Sequence, residues 1–157
     1  MAIIKGVRIA MDIQGSSDSR SQDALFLGIV CANGGREFPL HQTQTHGEAY
    51  MQDGNKVRIR FGDIDNVTDN RTLRYRGIGG AAGEPNDPAL SALDFDAVSQ
   101  VYIRKAGTRT KSSDDFLRLD VLRAELESDE GSVRKYVVPG VVELANERGE
   151  QVWLREA

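Results

Sequence analysis

Ile3-Ile4-Lys5-Gly6-Val7-Arg8-Ile9-Ala10-Met11-Asp12-Ile13 is the stretch that decides the fold class. Ile3, Val7, Ile9, Met11 and Ile13 fall on one side of a two-residue repeat, and Arg8, Ala10 and Asp12 on the other. A period of two belongs to a strand with one buried face, not to a helix. The same signal continues along the chain. Ala24 to Cys31 is apolar on both faces and bounded by polar loops, which suits a central strand. Asn33-Gly34-Gly35 reads as a hairpin-type turn into a strand over Arg36 to Leu40. Val57, Ile59 and Phe61 then alternate with Lys56, Arg58 and Arg60. Further strands are predicted at Thr72 to Arg76, Val98 to Arg104, Arg134 to Val138, Val141 to Leu144 and Gln151 to Leu154.

Phe116 to Leu126 changes phase. Leu117, Leu119 and Val121 share one parity, whereas Leu122, Ala124 and Leu126 share the other. A bulge near Val121 reconciles the two halves as one strand; an amphipathic helix is the competing reading. Only Pro88 to Val98 has modest helical character. The prediction is all-β: an antiparallel β-sandwich of about eight to nine strands, one domain over residues 1–157, with a long insertion loop at about 62–96.

Composition fits that prediction and narrows the function. Of 157 residues, 39% are hydrophobic and 28% charged, enough apolar material for a core. The formal net charge is −4, which argues against nucleic acid as a general partner. One cysteine cannot form an internal disulfide. The nine-residue apolar run at Ala24 to Ala32 is too short to span a bilayer as a helix, so no transmembrane segment is expected. Lys5, Arg8 and Asp12 break the first segment, which therefore lacks the pattern of a secretory signal. A cytoplasmic location is expected, with export by a route without a cleaved signal left open.

Familiar chemical motifs fail on their physics. Gly77-x-Gly79 with Gly83 is followed by Pro85 and Pro88, where a phosphate-binding loop needs a helix N-terminus. Asp63-Ile64-Asp65-Asn66 opens like a calcium loop, but Thr68 and Arg74 stand where an EF-hand needs Gly and Glu. Cys31, His41 and His46 are not brought together by any spacing, and no Gly-x-Ser-x-Gly elbow occurs. No enzyme activity is expected.

The arginines carry more information. Fifteen of the 20 basic residues are Arg, and Arg58, Arg60, Arg71, Arg74 and Arg76 fall within 19 positions. Planar guanidinium groups on one strand face suit phosphate or carboxylate. The plainer alternative is an ion-paired outer face with Asp63, Asp65 and Asp69 as partners. A second basic cluster comprises Arg104, Lys105, Arg109 and Lys111.

The N-terminal strand ending at Gly15, then Asp23-Ala24-Leu25-Phe26-Leu27-Gly28 and Gly34-Gly35-Arg36-Glu37-Phe38-Pro39-Leu40, resembles the first half of a PLAT/LH2 (lipoxygenase homology) domain. Val101-Tyr102-Ile103-Arg104 followed by Asp114-Asp115-Phe116-Leu117-Arg118-Leu119-Asp120-Val121 is similar to that family's later strands. Tyr136-Val137-Val138 and Val152-Trp153-Leu154 resemble its closing ones. The resemblance covers residues 3–61 and 98–154. Phe116 stands where the family prefers Trp, Gln22 where it prefers Thr, and 62–96 exceeds the usual connection. It implies a sandwich used for lipid or protein contacts, sometimes with calcium in its edge loops. On matching positions the implied calcium ligands are Asp18 and Asp23, with Asp53 as a third.

Two functional expectations follow. One is a noncatalytic module that binds an anionic lipid surface or a protein partner, with Arg58, Arg60, Arg71, Arg74 and Arg76 as the contact residues. The other is an assembly protein that self-associates into a homo-oligomer or larger particle through edge strands and arginine faces.

Overall fold

A computed structural model describes residues 1–15, 24–41, 54, 56–62, 72–74, 87–106, 117–145 and 150–157, with backbone alone at 24, 39, 41, 72–74 and 106. Its strands are β1 (Ile4–Ile13), β2 (Ala24–Cys31), β3 (Gly34–His41), β4 (Lys56–Gly62), β5 (Thr72–Arg74), β6 (Val98–Ala106), β7 (Leu117–Ser128), β8 (Val133–Val137), β9 (Val142–Leu144) and β10 (Gln151–Glu156). The fold is all-β, as the two-residue repeats require. Among the described residues the helical element is one 3₁₀ turn at Pro88–Ser91, where modest helical character was expected. No helix there is long and apolar enough to cross a membrane.

The strands follow one hydrogen-bonded path, β3-β2-β6-β10-β8-β7-β1-β4-β5, with β9 paired to β7 beside it. All these pairings are antiparallel except β4 with β5, which is parallel. β10 carries the path from one layer to the other: Gln151 to Leu154 pair with β6, and Arg155 and Glu156 with β8. The path curls until strands near its two ends stack. Phe38 of β3 and Phe61 of β4 meet with ring centroids 5.1 Å apart. Between the layers lies the core, with Ile9, Met11, Leu27, Ile29, Ile59, Ile103, Leu119, Leu122 and Leu126 all buried.

Two irregularities set the register. Asp12 pairs with Val121 but Ile13 pairs with Leu119, so Asp120 is the extra residue of a bulge. That single insertion lets Leu117 and Leu119 point inward on one side and Leu122, Ala124 and Leu126 on the other. A second shift falls between Ile4 and Gly6. It corrects the simple alternation at the start of β1: Ile4, not Ile3, is the fully buried isoleucine.

The insertion at 62–96 is anchored where it leaves and returns. Gly62 has φ +85° and would place a Cβ 2.2 Å from the Lys5 carbonyl oxygen, so a side chain there is excluded twice. On the return, Arg36 of β3 donates to the Ser91 hydroxyl at 2.6 Å. Asn33 donates to the Ala92 carbonyl at 2.8 Å and accepts from the Asp94 amide at 3.0 Å.

Two buried polar residues follow the core's logic. Cys31 closes β2 inside the core, and burial pushes its thiol pKa up, as for a small hydrophobe. The Tyr136 phenol, buried under Arg134, is pushed up to about 12, chiefly by desolvation.

Because Phe61 joins the two ends of the strand path, Phe61→Ala is expected to cost about 3–5 kcal/mol. A lower midpoint in urea unfolding, with the slope unchanged, is the measurement that checks it.

Candidate anion-binding face

β4 alternates buried Val57, Ile59 and Phe61 with outward Lys56, Arg58 and Arg60. β1 lies between β4 and β7, and its outward residues extend the same face. The register makes two cross-strand rows, Arg60–Arg8–Glu125 and Arg58–Ala10–Arg123. Together these side chains line a groove of about 220 Å³, with Ile9 and Ile59 along its floor.

Ion pairs hold part of this array in place. Arg58 Nη1 donates to Asp12 at 2.7 Å and to the Val57 carbonyl at 2.9 Å. Arg8 pairs with Glu127 at 3.2 Å, a carboxylate shared with Lys5 at 3.4 Å. Glu125 pairs with Lys135 at 3.7 Å. Arg123 has no ion pair among the described residues. Burial and then the positive charge of Arg8 lower the Arg60 pKa, with Glu127 opposing. Arg8 and Arg60 are thus like charges directly opposed across two strands, with the Glu127 carboxylate offsetting part of their repulsion. Four guanidinium groups and the Glu125 carboxylate line the groove, and beyond the pairs of Arg58 with Asp12 and Arg8 with Glu127 they offer donors suited to an anion.

The structure brings together Arg58 and Arg60 from the expected contact set. Arg74 lies in β5, where its backbone pairs with Arg60. Arg71, Arg76, and the calcium candidates Asp18, Asp23 and Asp53 lie outside the described residues, as do Asp63, Asp65 and Asp69. Among the described residues Arg58 pairs with Asp12, from β1. Sequence reading missed Arg8, Ala10, Arg123 and Glu125 as parts of the site. The polar parity of β1 was visible, but its neighbours were not.

Of the second basic cluster, the described residues are Arg104 and Lys105. Arg104 is engaged by Glu37 at 2.7 and 3.0 Å and lies over the Phe26 ring at 4.5 Å. Lys105 is buried, and Arg109 and Lys111 lie outside the described residues. Beside the Arg104 pair, the Tyr102 ring covers Gly28, where a Cβ would sit 2.0 Å from it, and packs edge-on to Trp153 at 5.0 Å. Trp153 stays 51% exposed. This outer face of the second layer is aromatic, with its main charges paired to each other.

No protein-family model and no curated protein sequence matches the chain. Solved structures do share its fold. Alpha toxin from Clostridium absonum superposes with a TM-score of 0.58 at 10% identity, over 98% of this chain and 32% of that one. A Clostridium perfringens alpha-toxin from avian strain SWCP gives 0.55 at 11% identity, over 98% and 32%. A LOX chain crystallised with arachidonate gives 0.53 at 10% identity, over 97% and 16%. The likeness is one of fold alone, and this chain spans about a third or less of those it matches.

The Arg104 hydrogen bonds hold the Glu37 carboxyl below the usual carboxylate range against burial, the next-largest effect, with the Arg104 charge and a Tyr102 hydrogen bond assisting. A carboxylate with a depressed folded pKa adds stability that is present above its unfolded value, about 4.3, and is lost as pH falls through the folded one. Glu37→Gln is therefore expected to lower stability on the order of 0.5–1 kcal/mol at pH 7 for this half-exposed pair. The difference from the native chain should close in unfolding curves measured at successively lower pH below 4.

Proposed function

We infer that this chain is a noncatalytic, PLAT-like binding module whose arginine face meets an anionic lipid surface. The observation that carries the reading is the convergence of Arg8, Arg58, Arg60 and Arg123 on one groove in a chain of net charge −4. Positive charge gathered on one face of an acidic protein orients it toward a negative surface. The lining supplies positive charge and hydrogen-bond donors, the chemistry of holding an anion. Structural neighbours with PLAT/C2-like sandwiches fit a lipid or a protein partner, and the gathered positive charge is what favours an anionic lipid surface here. Calcium at Asp18, Asp23 and Asp53 is a separate contribution under this reading, because the arginines attract anions without a metal.

Co-sedimentation with vesicles of phosphatidylcholine and phosphatidylserine at low salt tests the reading, run with calcium and with EDTA. Each basic residue near such a surface contributes about 1 kcal/mol, so the Arg58→Ala/Arg60→Ala double variant is expected to lose about 10–30-fold in partitioning. Salt near 0.5 M should screen most of the binding. Absence of binding to anionic vesicles at low salt sinks the lipid form.

A further inference from the structure

The groove has a shape as well as a charge. In the row Arg58–Ala10–Arg123 the middle position carries only a methyl group, and the face is depressed there. Arg58 and Arg123 stand one strand to either side of β1, so about 10 Å separates their backbones. Two guanidinium groups at that span reach a compact anion from opposite sides. Asp12 and the Val57 carbonyl hold Nη1 of Arg58 at the wall of the depression. In the adjacent row Arg8 and Arg60 oppose each other as like charges. Glu125 stands beside Arg8 on its other flank. Paired with Lys135, it leaves the space over Ala10 open to a small, highly charged group.

We propose that the depression over Ala10 binds one phosphate monoester group, gripped by the guanidinium groups of Arg58 and Arg123 with Arg8 beside them. A monoester carries nearly two negative charges at neutral pH and three terminal oxygens, matching several converging forks. A phosphodiester offers one charge and two free oxygens, and satisfies fewer of them. The proposal rests on the anion-binding reading of this face. Its ligand chemistry is shared by a phosphorylated small molecule and a monoester lipid headgroup.

The test compares vesicles containing phosphatidic acid with vesicles of matched surface charge containing phosphatidylglycerol, both in EDTA. It is paired with an NMR titration of glycerol 3-phosphate. The native chain is expected to favour phosphatidic acid about tenfold, as a monoester satisfies more charge-assisted hydrogen bonds. Arg123→Ala removes one grip at an exposed position, and Ala10→Met fills the depression. Each should reduce retention to the phosphatidylglycerol level, with thermal melts confirming that the variants are folded. Saturable shifts at the Ala10, Arg58 and Arg123 amides with glycerol 3-phosphate assign a free phosphorylated molecule as a source. Phosphatidic acid preference without those shifts assigns the headgroup in its membrane. Equal retention on both vesicles, without shifts, overturns the monoester site and leaves the anionic-surface reading standing. Shifts without retention on either vesicle keep the site and overturn the lipid reading. Neither shifts nor retention overturns both.

Discussion

β1 is hydrogen-bonded along both edges, to β4 on one side and β7 on the other, and its register sets what both faces of that layer contain. Inward, Val7, Ile9, Met11 and Ile13 enter the core. Outward, Arg8 meets Arg60 and Glu125, and Ala10 meets Arg58 and Arg123. In a pleated strand these are not separate choices. A slip of one residue would expose the isoleucines and bury the arginines together, so apolar burial enforces the position of every charge on the outer face. The bulge at Asp120 protects that arrangement by absorbing the phase change of β7 without disturbing its pairing beyond Val121.

The two outer faces of the sandwich treat charge differently. On the layer built around β1, Asp12 holds Arg58 and Glu127 holds Arg8, while Glu125 pairs with Lys135 beside the groove. On the layer built around β2 and β6, Glu37 and Arg104 satisfy each other, and Tyr102 and Trp153 cover the backbone beside them. Exposed ion pairs contribute little to stability. Their larger effect here is geometric, since a guanidinium tied to a neighbouring carboxylate presents its remaining surface in a defined direction.

Much of the fold was legible from alternation alone. Ala24–Cys31 was read to the residue, and the change of parity in Phe116 to Leu126 located a bulge within one position of Asp120. The hairpin was misplaced by one: the turn residues are Ala32 and Asn33, and Gly34 already pairs with Cys31. Ile3 was assigned inward in place of Ile4 because a bulge so near a strand end leaves too few residues to reveal it. The groove was half legible. Arg58 and Arg60 announce themselves by sharing a strand face, whereas Arg8 and Arg123 are single charges in segments distant from them and from each other.

From the residue order alone follow the strand class, the inward side of each strand and the presence of an arginine-rich face, because alternation is local and each strand's burial is written in its own side chains. Which strands became neighbours was decided by packing. No local pattern states that β1 inserts between β4 and β7, or that β10 crosses from one layer to the other, since those pairings are selected by the joint burial of apolar faces far apart in the chain. The partnership of Arg58 with Asp12, and the space left over Ala10 between two arginines, exist only because that long-range selection was made.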